Sequence, residues 1–409
     1  MAKIMPFHGL LPVPEKAAEV AAVPYDVVNS QEAAELAKGN SLSFLHVSRP
    51  EIDMEPGINL YDDSVYAKAA ENFKKLCDEA PLKIDADEHL YIYRQIMGDH
   101  IQTGILGAAS AEDYKNNIIK KHEKTRQDKE DDRTRHVMTL RSHTGPAFLT
   151  YEDSDEINSL VEKLSQDAPL FDFTAEDGIQ HTLWRVDAEK SKKLSGMFAE
   201  VPYLYIADGH HRSAAAARTQ AECTPQNPDH TGVEDYNFFL AVTFPASQLK
   251  VLPYNRAVKT LNGLTAEHLI EKVSENFTVT STDNPEPQKS GEFCMYLAGK
   301  WYLVVPKFDV NALGVIERLD VSVLQDNILA PMLGIDDPRT SKGIDFVGGI
   351  RGIGELEKLV DGGTHGVAFS MFPTSVKQLM DIADADAIMP PKSTWFEPKL
   401  RDGVVCHNF

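Results

Sequence analysis

One segment of the chain, from Tyr205 to Arg218, constrains the fold more than any other. The apolar run Val201 to Ile206 predicts a buried β-strand, Gly209 allows a sharp turn, and the alanine-rich run after the turn predicts a helix. A strand, a tight turn and a helix in this order point free backbone N–H groups towards a ligand. The turn also carries one acid, two imidazoles and a guanidinium: Asp208, His210, His211 and Arg212. We therefore expect a binding site beside a core strand.

The residues of this turn are compatible with three interpretations. In a phosphate site, Gly209 permits close approach of the ligand and the basic side chains form charge-assisted hydrogen bonds, while Asp208 positions Mg²⁺ or a nucleophile. In a metal site, Asp208 and the two histidines supply three ligands, although adjacent histidines on a tight turn usually diverge. In a structural role, Asp208 caps the following helix. The last interpretation is compatible with the first.

Residues 120–136 include no apolar side chain, no glycine and no proline, which predicts a polar helix. Basic-type residues recur in it at spacings of 4, 3, 4 and 3 and would follow one helical face: His122, Arg126, Lys129, Arg133 and His136. A solvated surface helix explains such a pattern, and so does a helix that lines a phosphate site. On the second interpretation, His122 and Arg126 contribute to phosphate binding and Glu123 lies directly beside them.

Length and charge limit the classes of function. A chain of 409 residues favours two domains. The net charge of −21 argues against nucleic acid as a partner. No run approaches the roughly 18–20 apolar residues of a membrane span, and the N-terminus lacks the pattern of a signal peptide. The four cysteines are far apart, which is typical of a protein of the reducing cytoplasm.

The remaining pattern predicts a mixture of helices and strands. Residues 89–110 and 171–187 read as hairpins, 43–51 as a strand and 62–79 as an amphipathic helix. The pattern of predicted helices and strands changes after residue 245, so we expect domains at 1–245 and 246–409. The absence of GxxxxGK[ST], and of GxGxxG between a strand and a helix, disfavours P-loop and Rossmann enzymes.

Three short motifs together resemble those of the free serine kinases of the ParB/sulfiredoxin fold. They are the sequence 208–212 after a core strand, the His122-Glu123 pair upstream of it, and Pro391-Lys392-Ser393-Thr394 near the C-terminus. A wider likeness, to long bacterial and archaeal relatives, covers nearly the whole chain. Its segments are Val23 to Asn29, Phe44 to Glu51, Lys121 to Arg133, Asp208 to Ala214 and Pro390 to Lys399.

The resemblance implies an α+β protein. Residues 1–245 would form a ParB/sulfiredoxin-like, mixed-sheet nucleotide-binding domain, and 246–409 a second α+β domain whose tail completes the active site. The implied reaction is phosphorylation of free L-serine to O-phospho-L-serine with ADP or ATP and Mg²⁺. The implied partners are a nucleotide and a small hydroxyl amino acid, and the resemblance also allows a homodimer.

The same resemblance implies roles for individual residues. Glu123 would be the catalytic carboxylate beside the serine hydroxyl, and Asp208 the second essential acid, near the transferred phosphate and its Mg²⁺. The nucleotide phosphates would bind at 209–212, that is, Gly209, His210, His211 and Arg212. The amino acid or its phosphate would bind to Lys392, Ser393 and Thr394.

One departure concerns the acceptor. The shorter kinases continue with Arg-His where this chain has Trp395-Phe396, so the groups that hold the serine end differ. Two other functions fit the same residues: a nucleotide-binding regulatory protein on the same fold, and a metal-dependent phosphohydrolase.

Overall fold

The computed structural model describes residues 1–80 and 82–409. The chain forms two compact units. Unit 1 consists of Met1–Leu249 and Pro398–Phe409, and unit 2 of Lys250–Glu397. We had expected the boundary at 245 and a second domain that runs to 409. Residues 398–409 belong to unit 1 because a strand near the C-terminus, Cys406–Asn408, pairs with two strands of that unit.

The strands are numbered in chain order. They are β1 Ile4–Met5, β2 Gly9–Leu11, β3 Lys83–Ile84, β4 Tyr91–Met97, β5 His100–Ser110, β6 Ile119–Lys120, β7 Ser142–His143, β8 Ala147–Tyr151, β9 Phe171–Thr174, β10 Gln180–Arg185, β11 Leu204–Asp208, β12 Phe238–Pro245, β13 Lys250–Leu252, β14 Tyr254–Val258, β15 Phe277–Ser281, β16 Phe293–Leu297, β17 Lys300–Pro306, β18 Ile344–Gly348, β19 Val367–Met371, β20 Trp395–Glu397 and β21 Cys406–Asn408.

The α-helices are numbered in the same way. They are α1 Ala17–Val20, α2 Ser30–Leu36, α3 Leu45–Ser48, α4 Asp63–Glu79, α5 Ala111–Lys115, α6 Gln127–Leu140, α7 Asp155–Leu164, α8 Ala188–Phe198, α9 His210–Cys223, α10 Ala266–Asn276, α11 Asp320–Leu324, α12 Ile353–Asp361 and α13 Val376–Asp384.

A mixed sheet is the centre of unit 1. Within the described ranges it has nine strands in the order β6-β11-β8-β12-β5-β4-β10-β9, with β1 also paired to β5. The pairs β6/β11 and β8/β12 are parallel and the other pairs are antiparallel. The predicted hairpins at 89–110 and 171–187 are confirmed as β4/β5 and β9/β10. Apolar side chains of the sheet and of α7 and α8 form one buried core, which includes Ile105, Leu149, Phe198 and Ile206.

A second layer of unit 1 lies around the N-terminal helices. The predicted amphipathic helix is confirmed as α4, which buries Ala69 and Leu76. The strand predicted at 43–51 is wrong, because these residues form α3 and the 3₁₀ turn Pro50–Asp53. A helical turn buries Phe44, Leu45 and Val47 together, whereas a strand would point neighbouring residues to opposite faces.

The helix predicted over 120–136 is also wrong for residues 120–126. Residues 119–120 form β6, and the helix, α6, begins only at Gln127. Pairing of β6 with β11 holds the start of the segment extended, so tertiary context overrides helix propensity. His122 and Arg126 therefore precede the helix, and the predicted basic face does not form as one row. His136 is buried, with Nε2 3.0 Å from the Val47 carbonyl oxygen.

Unit 2 is a separate α+β unit. Its described residues form a six-stranded sheet in the order β15-β17-β16-β19-β14-β18 and a two-stranded sheet, β13-β20. Side chains from this sheet and from α10, α11 and α13 form its core, which includes Leu269, Phe293, Leu324, Phe369 and Ile382. With a mixed sheet in unit 1, further sheets and several helices, the chain has the predicted α+β fold class.

No helix in the described ranges 1–80 and 82–409 combines the length and the apolar character that a membrane-spanning helix needs.

The turn before α9 requires glycine at position 209 for two reasons, and substitution tests them. Its φ of +89° is left-handed, and a Cβ there would lie 3.2 Å from the Ala147 Cα. Gly178, in the β9/β10 turn, has a φ of +80° and open space around its missing Cβ. We expect Gly178→Ala to lose about 1–2 kcal/mol of stability from the left-handed backbone alone, and Gly209→Ala to lose more because of the added contact. Thermal unfolding of both variants measures the difference, and equal losses would contradict it.

Candidate phosphate-binding site

Two segments leave the same edge of the unit 1 sheet. Strands β6 and β11 are parallel neighbours, with Ile119 opposite Leu204 and Lys120 opposite Tyr205. Because parallel strands end on the same side of a sheet, the residues after Lys120 and after β11 emerge side by side. The structure thereby brings His122 and Glu123 next to the turn at 208–212.

The turn itself is shaped by an irregular strand end and a glycine. The register of β11 against β8 shifts between Ile206 and Asp208, and such bulges redirect side chains at the ends of strands. Gly209 then adopts the left-handed conformation and precedes the first turn of α9. Its N–H donates to Asp208 Oδ1 at 2.8 Å, so the carboxylate is fixed against its own turn.

The other carboxylate oxygen of Asp208 has a partner that the sequence reasoning missed. Lys399 Nζ donates to Asp208 Oδ2 at 2.7 Å, and the lysine backbone is held by Gln95, whose Nε2 donates to the Lys399 carbonyl at 2.8 Å. Desolvation raises the pKa of Asp208, but Lys399 and Arg212 lower it by more, to well below its usual range. Asp208 is thus an anion bound to a cation. In the sequence, Lys399 is marked only by its place at the end of the segment 390–399 of the wider likeness.

His122 and His210 pack edge to face, with ring centroids 4.5 Å apart and an interplanar angle of 86°. Burial lowers the pKa of His122 to about 4, against an opposing effect of Asp208. Burial and the neighbouring His122 lower the pKa of His210 well below its ordinary value. Both imidazoles are therefore neutral near pH 7, which differs from the charged histidines expected of a phosphate site.

Potential ligand atoms of His122, Glu123 and His210 all lie within 4.8 Å of one another. His122 Nδ1 and Nε2, and His210 Nε2, are buried. These nitrogens lie at the centre of the site, and no described residue forms a hydrogen bond of ordinary geometry with them.

His211 points to the other side of the turn, as adjacent histidines usually do. Its Nε2 accepts the Arg126 backbone N–H at 3.2 Å, which holds the loop before α6 against α9. Burial lowers the pKa of His211, and Asp26 partly offsets this. The Arg126 guanidinium is exposed and pairs with Asp128 at 2.7 Å. The main chain of Arg126, rather than its charge, therefore contacts the turn in this structure.

Arg212 is largely buried and connects the turn to neighbouring segments of unit 1. Its Nη1 donates to the Pro146 carbonyl at 2.7 Å, and its Nη2 to Asp26 Oδ1 at 3.3 Å. The guanidinium carbon lies 5.7 Å from the Tyr25 ring centroid. Burial lowers the pKa of Arg212, but Asp26 and Asp402 raise it to above its ordinary value. Tyr25 and Asp26 come from the segment 23–29, which accounts for the place of that segment among the motifs of the wider likeness.

Lys392, Ser393 and Thr394 belong to unit 2. There, Ser393 Oγ donates to the Pro390 carbonyl at 2.7 Å, and the Ser393 carbonyl accepts from Thr374 Oγ1 at 2.9 Å. The Lys392 carbonyl accepts from Arg256 Nη2 at 3.1 Å. The role of these three residues in substrate binding stays a prediction.

A family model described as "Protein of unknown function (DUF1015)" matches residues 4–322. The chain belongs to this family. No curated protein matches the chain.

Three solved structures are similar in part. A free serine kinase in complex with AMP has 13% identity and a TM-score of 0.34, with 72% of this chain and 86% of that chain covered. A conserved hypothetical protein from Pyrococcus furiosus has 14% identity and a TM-score of 0.35, with 73% and 93% covered. SbnI with C-terminal truncation from Staphylococcus aureus has 11% identity and a TM-score of 0.39, with 73% and 85% covered. TM-scores of this size do not establish a common fold, so the chemistry of the site depends on its own residues.

The buried carboxyl of Asp402 gives the site a measurable pH dependence. Burial raises the pKa of Asp402 to about 6 despite the nearby Arg212, against about 3.9 for an unfolded aspartate. Between these values the folded state holds the proton and the unfolded state does not. The resulting stabilisation is present below about pH 4 and is lost as the pH rises through 6.

We therefore expect Asp402→Asn to show a smaller loss of thermal stability than the wild type between pH 4 and pH 7. Asp229→Asn removes an exposed carboxyl and serves as the matched control, which should follow the wild type. If Asp402→Asn also follows the wild type, Asp402 titrates alike in the folded and unfolded states.

Proposed function

We propose that this protein is a small-molecule kinase that transfers a phosphoryl group from ADP or ATP to a hydroxyl compound, with free L-serine as the acceptor. The observation that carries the proposal is the meeting of the His122-Glu123 loop with the turn 208–212 at one sheet edge. A carboxylate, a helix N-terminus and the Lys399 ammonium come together there. Transfer of a phosphoryl group to a hydroxyl needs a proton acceptor, neutralisation of charge and positioning of the phosphates, and these groups are suited to those tasks.

In the proposed reaction, the acceptor hydroxyl oxygen attacks the terminal phosphorus of the nucleotide. The new O–P bond forms as the bond to the bridging oxygen of the nucleotide breaks, and the shortened nucleotide leaves with that oxygen. Glu123 takes the hydroxyl proton. A positioned general base of this kind contributes about 10²- to 10⁴-fold to the rate.

The phosphates would bind at the start of α9. The first N–H groups of a helix have no partner inside the helix, and those of His210, His211 and Arg212 lie in the first turn after Gly209. The side chains of His122 and His210 can each donate one N–H to a phosphate oxygen when neutral. Arg212 supplies positive charge at the turn. Arg126 stays a predicted phosphate ligand, and its exposed guanidinium would have to leave Asp128 to reach a phosphate.

Mg²⁺ in nucleotide sites commonly binds one or two carboxylates in addition to phosphate oxygens. Asp208 offers one carboxylate, which fits this minimum. Because Lys399 Nζ holds Asp208 Oδ2, a cation at Asp208 would compete with that ammonium. When bound, Mg²⁺ would neutralise part of the phosphate charge. Lys392, Ser393 and Thr394 stay the predicted ligands of the amino acid.

The role of Glu123 is tested with Glu123→Gln, which keeps the size of the side chain and removes the base. We expect kcat for transfer from ADP or ATP to L-serine to fall by about 10²- to 10⁴-fold, with nucleotide affinity nearly unchanged. Glu112→Gln, at an exposed glutamate that pairs with Lys115, is the matched control and should keep full activity. Formation of O-phospho-L-serine, followed by ³¹P NMR, is the measurement.

The same assay separates the other two functions. Phosphate release that does not depend on an acceptor would indicate a phosphohydrolase. Nucleotide binding without turnover, over a panel of hydroxyl compounds, would indicate a regulatory protein. Full turnover in Glu123→Gln would remove this residue from the mechanism and leave the transfer itself standing.

A further inference from the structure

The strongest unexplained feature of the molecule is the group of three buried imidazole nitrogens at His122 and His210. Each of these atoms is shielded from solvent, and none makes a hydrogen bond of ordinary length and angle with a described residue. The Ile206 backbone interacts with the His122 ring and raises its pKa, but the contact falls outside that geometry. A neutral imidazole carries one N–H donor and one acceptor nitrogen, and buried polar atoms without partners are destabilising. In a folded protein, such groups are explained by strain, by a catalytic role, or by a bound water or ion.

The surroundings indicate what that partner is. The two rings meet edge to face, with centroids 4.5 Å apart, and one nitrogen of each ring lies within 4.8 Å of the other. Glu123 adds a carboxylate oxygen, and the three potential ligand atoms lie within 4.8 Å of one another. In a bound tetrahedral zinc site the donor atoms are about 3.3 Å apart, from metal–ligand distances of about 2.0–2.1 Å. To bind such a cation, the three ligand atoms would have to move from separations of up to 4.8 Å to about that spacing.

We propose that His122, Glu123 and His210 form a binding site for a divalent d-block cation, of which Zn²⁺ is the representative. Two imidazoles and one carboxylate are a donor set that suits Zn²⁺, Co²⁺ or Mn²⁺, whereas Mg²⁺ and Ca²⁺ take oxygen ligands. Three protein ligands leave a fourth position open. The site is distinct from the Mg²⁺ position considered at Asp208, whose oxygens are bonded to Gly209 and Lys399.

This inference does not depend on the proposed function, and it gives His122, Glu123 and His210 a role different from the phosphate and proton contacts proposed for them above. It concerns binding of a cation by the protein without nucleotide or acceptor, so an absence of kinase activity would leave it intact. The inference rests on the buried nitrogens of the two imidazoles, and Glu123 supplies the third ligand. The competing explanation is an anion, since a phosphate oxygen could accept an N–H from each ring.

The test is titration of the full-length, tag-free protein with Co²⁺, after treatment with a chelator. We expect one equivalent to bind, with the visible absorption of four-coordinate Co²⁺, and Zn²⁺ to displace it. His122→Gln and His210→Gln should each weaken binding about tenfold or more. His230→Gln is the matched control, because the Nδ1 of that imidazole already bonds to the Tyr236 hydroxyl at 2.8 Å, and it should bind as the wild type does.

Side-chain ¹⁵N NMR of the wild type covers the case in which the histidine variants do not fold. Addition of Zn²⁺ should shift the ring nitrogens of two histidines that bind the cation, and leave those of the other histidines in place. No binding of Co²⁺ or Zn²⁺, or equal binding by folded His122→Gln and His210→Gln, would overturn the proposal. Binding of inorganic phosphate by the metal-free protein, with the same ring shifts and no effect of Zn²⁺, would assign the site to an anion and would overturn it too.

Discussion

The parallel pairing of β6 with β11 is the interaction on which the candidate site depends. Each strand is short, and β6 has only two residues. Their common direction nevertheless sets the positions of two loops that are about ninety residues apart in the sequence. If β6 instead continued into a helix, as its polar sequence predicts, His122 and Glu123 would leave the edge of the sheet. The most local preference of this segment is therefore opposed by its tertiary pairing, as is common near functional sites.

A second constraint is charge. In a protein with a net charge of −21, the site retains its cations through carboxylate and carbonyl partners. Arg212 is held by Asp26 and the Pro146 carbonyl, and Lys399 by Asp208. Such pairs position charge at small entropic cost, because the side chains are already ordered when a ligand arrives. The same pairs limit phosphate binding, because each of these cations would have to bind a phosphate while it still interacts with its existing partner.

The sequence predicted the turn, the hairpins and the α+β class because each has a local cause. Gly209 allows a left-handed turn, Asp177-Gly178 is a hairpin signal, and alternation or 3.6-residue spacing reveals the buried faces. The failures have non-local causes. Residues 43–51 and 120–126 adopt conformations that their tertiary neighbours impose, and Lys399 meets Asp208 across 191 positions of the sequence. The burial that keeps His122 and His210 neutral also cannot be read from the sequence, and the sequence therefore suggested charged histidines.

The return of residues 398–409 to unit 1 has a consequence for the order of events during synthesis. All of unit 2 lies between the two parts of unit 1 along the chain, so the first 249 residues emerge from the ribosome well before their last strand and the Lys399 ammonium exist. Until then Asp208 lacks its Lys399 partner, and β2 and β7 lack the strand between them. Formation of the candidate site is therefore a late step, because it requires residues that follow the whole of unit 2.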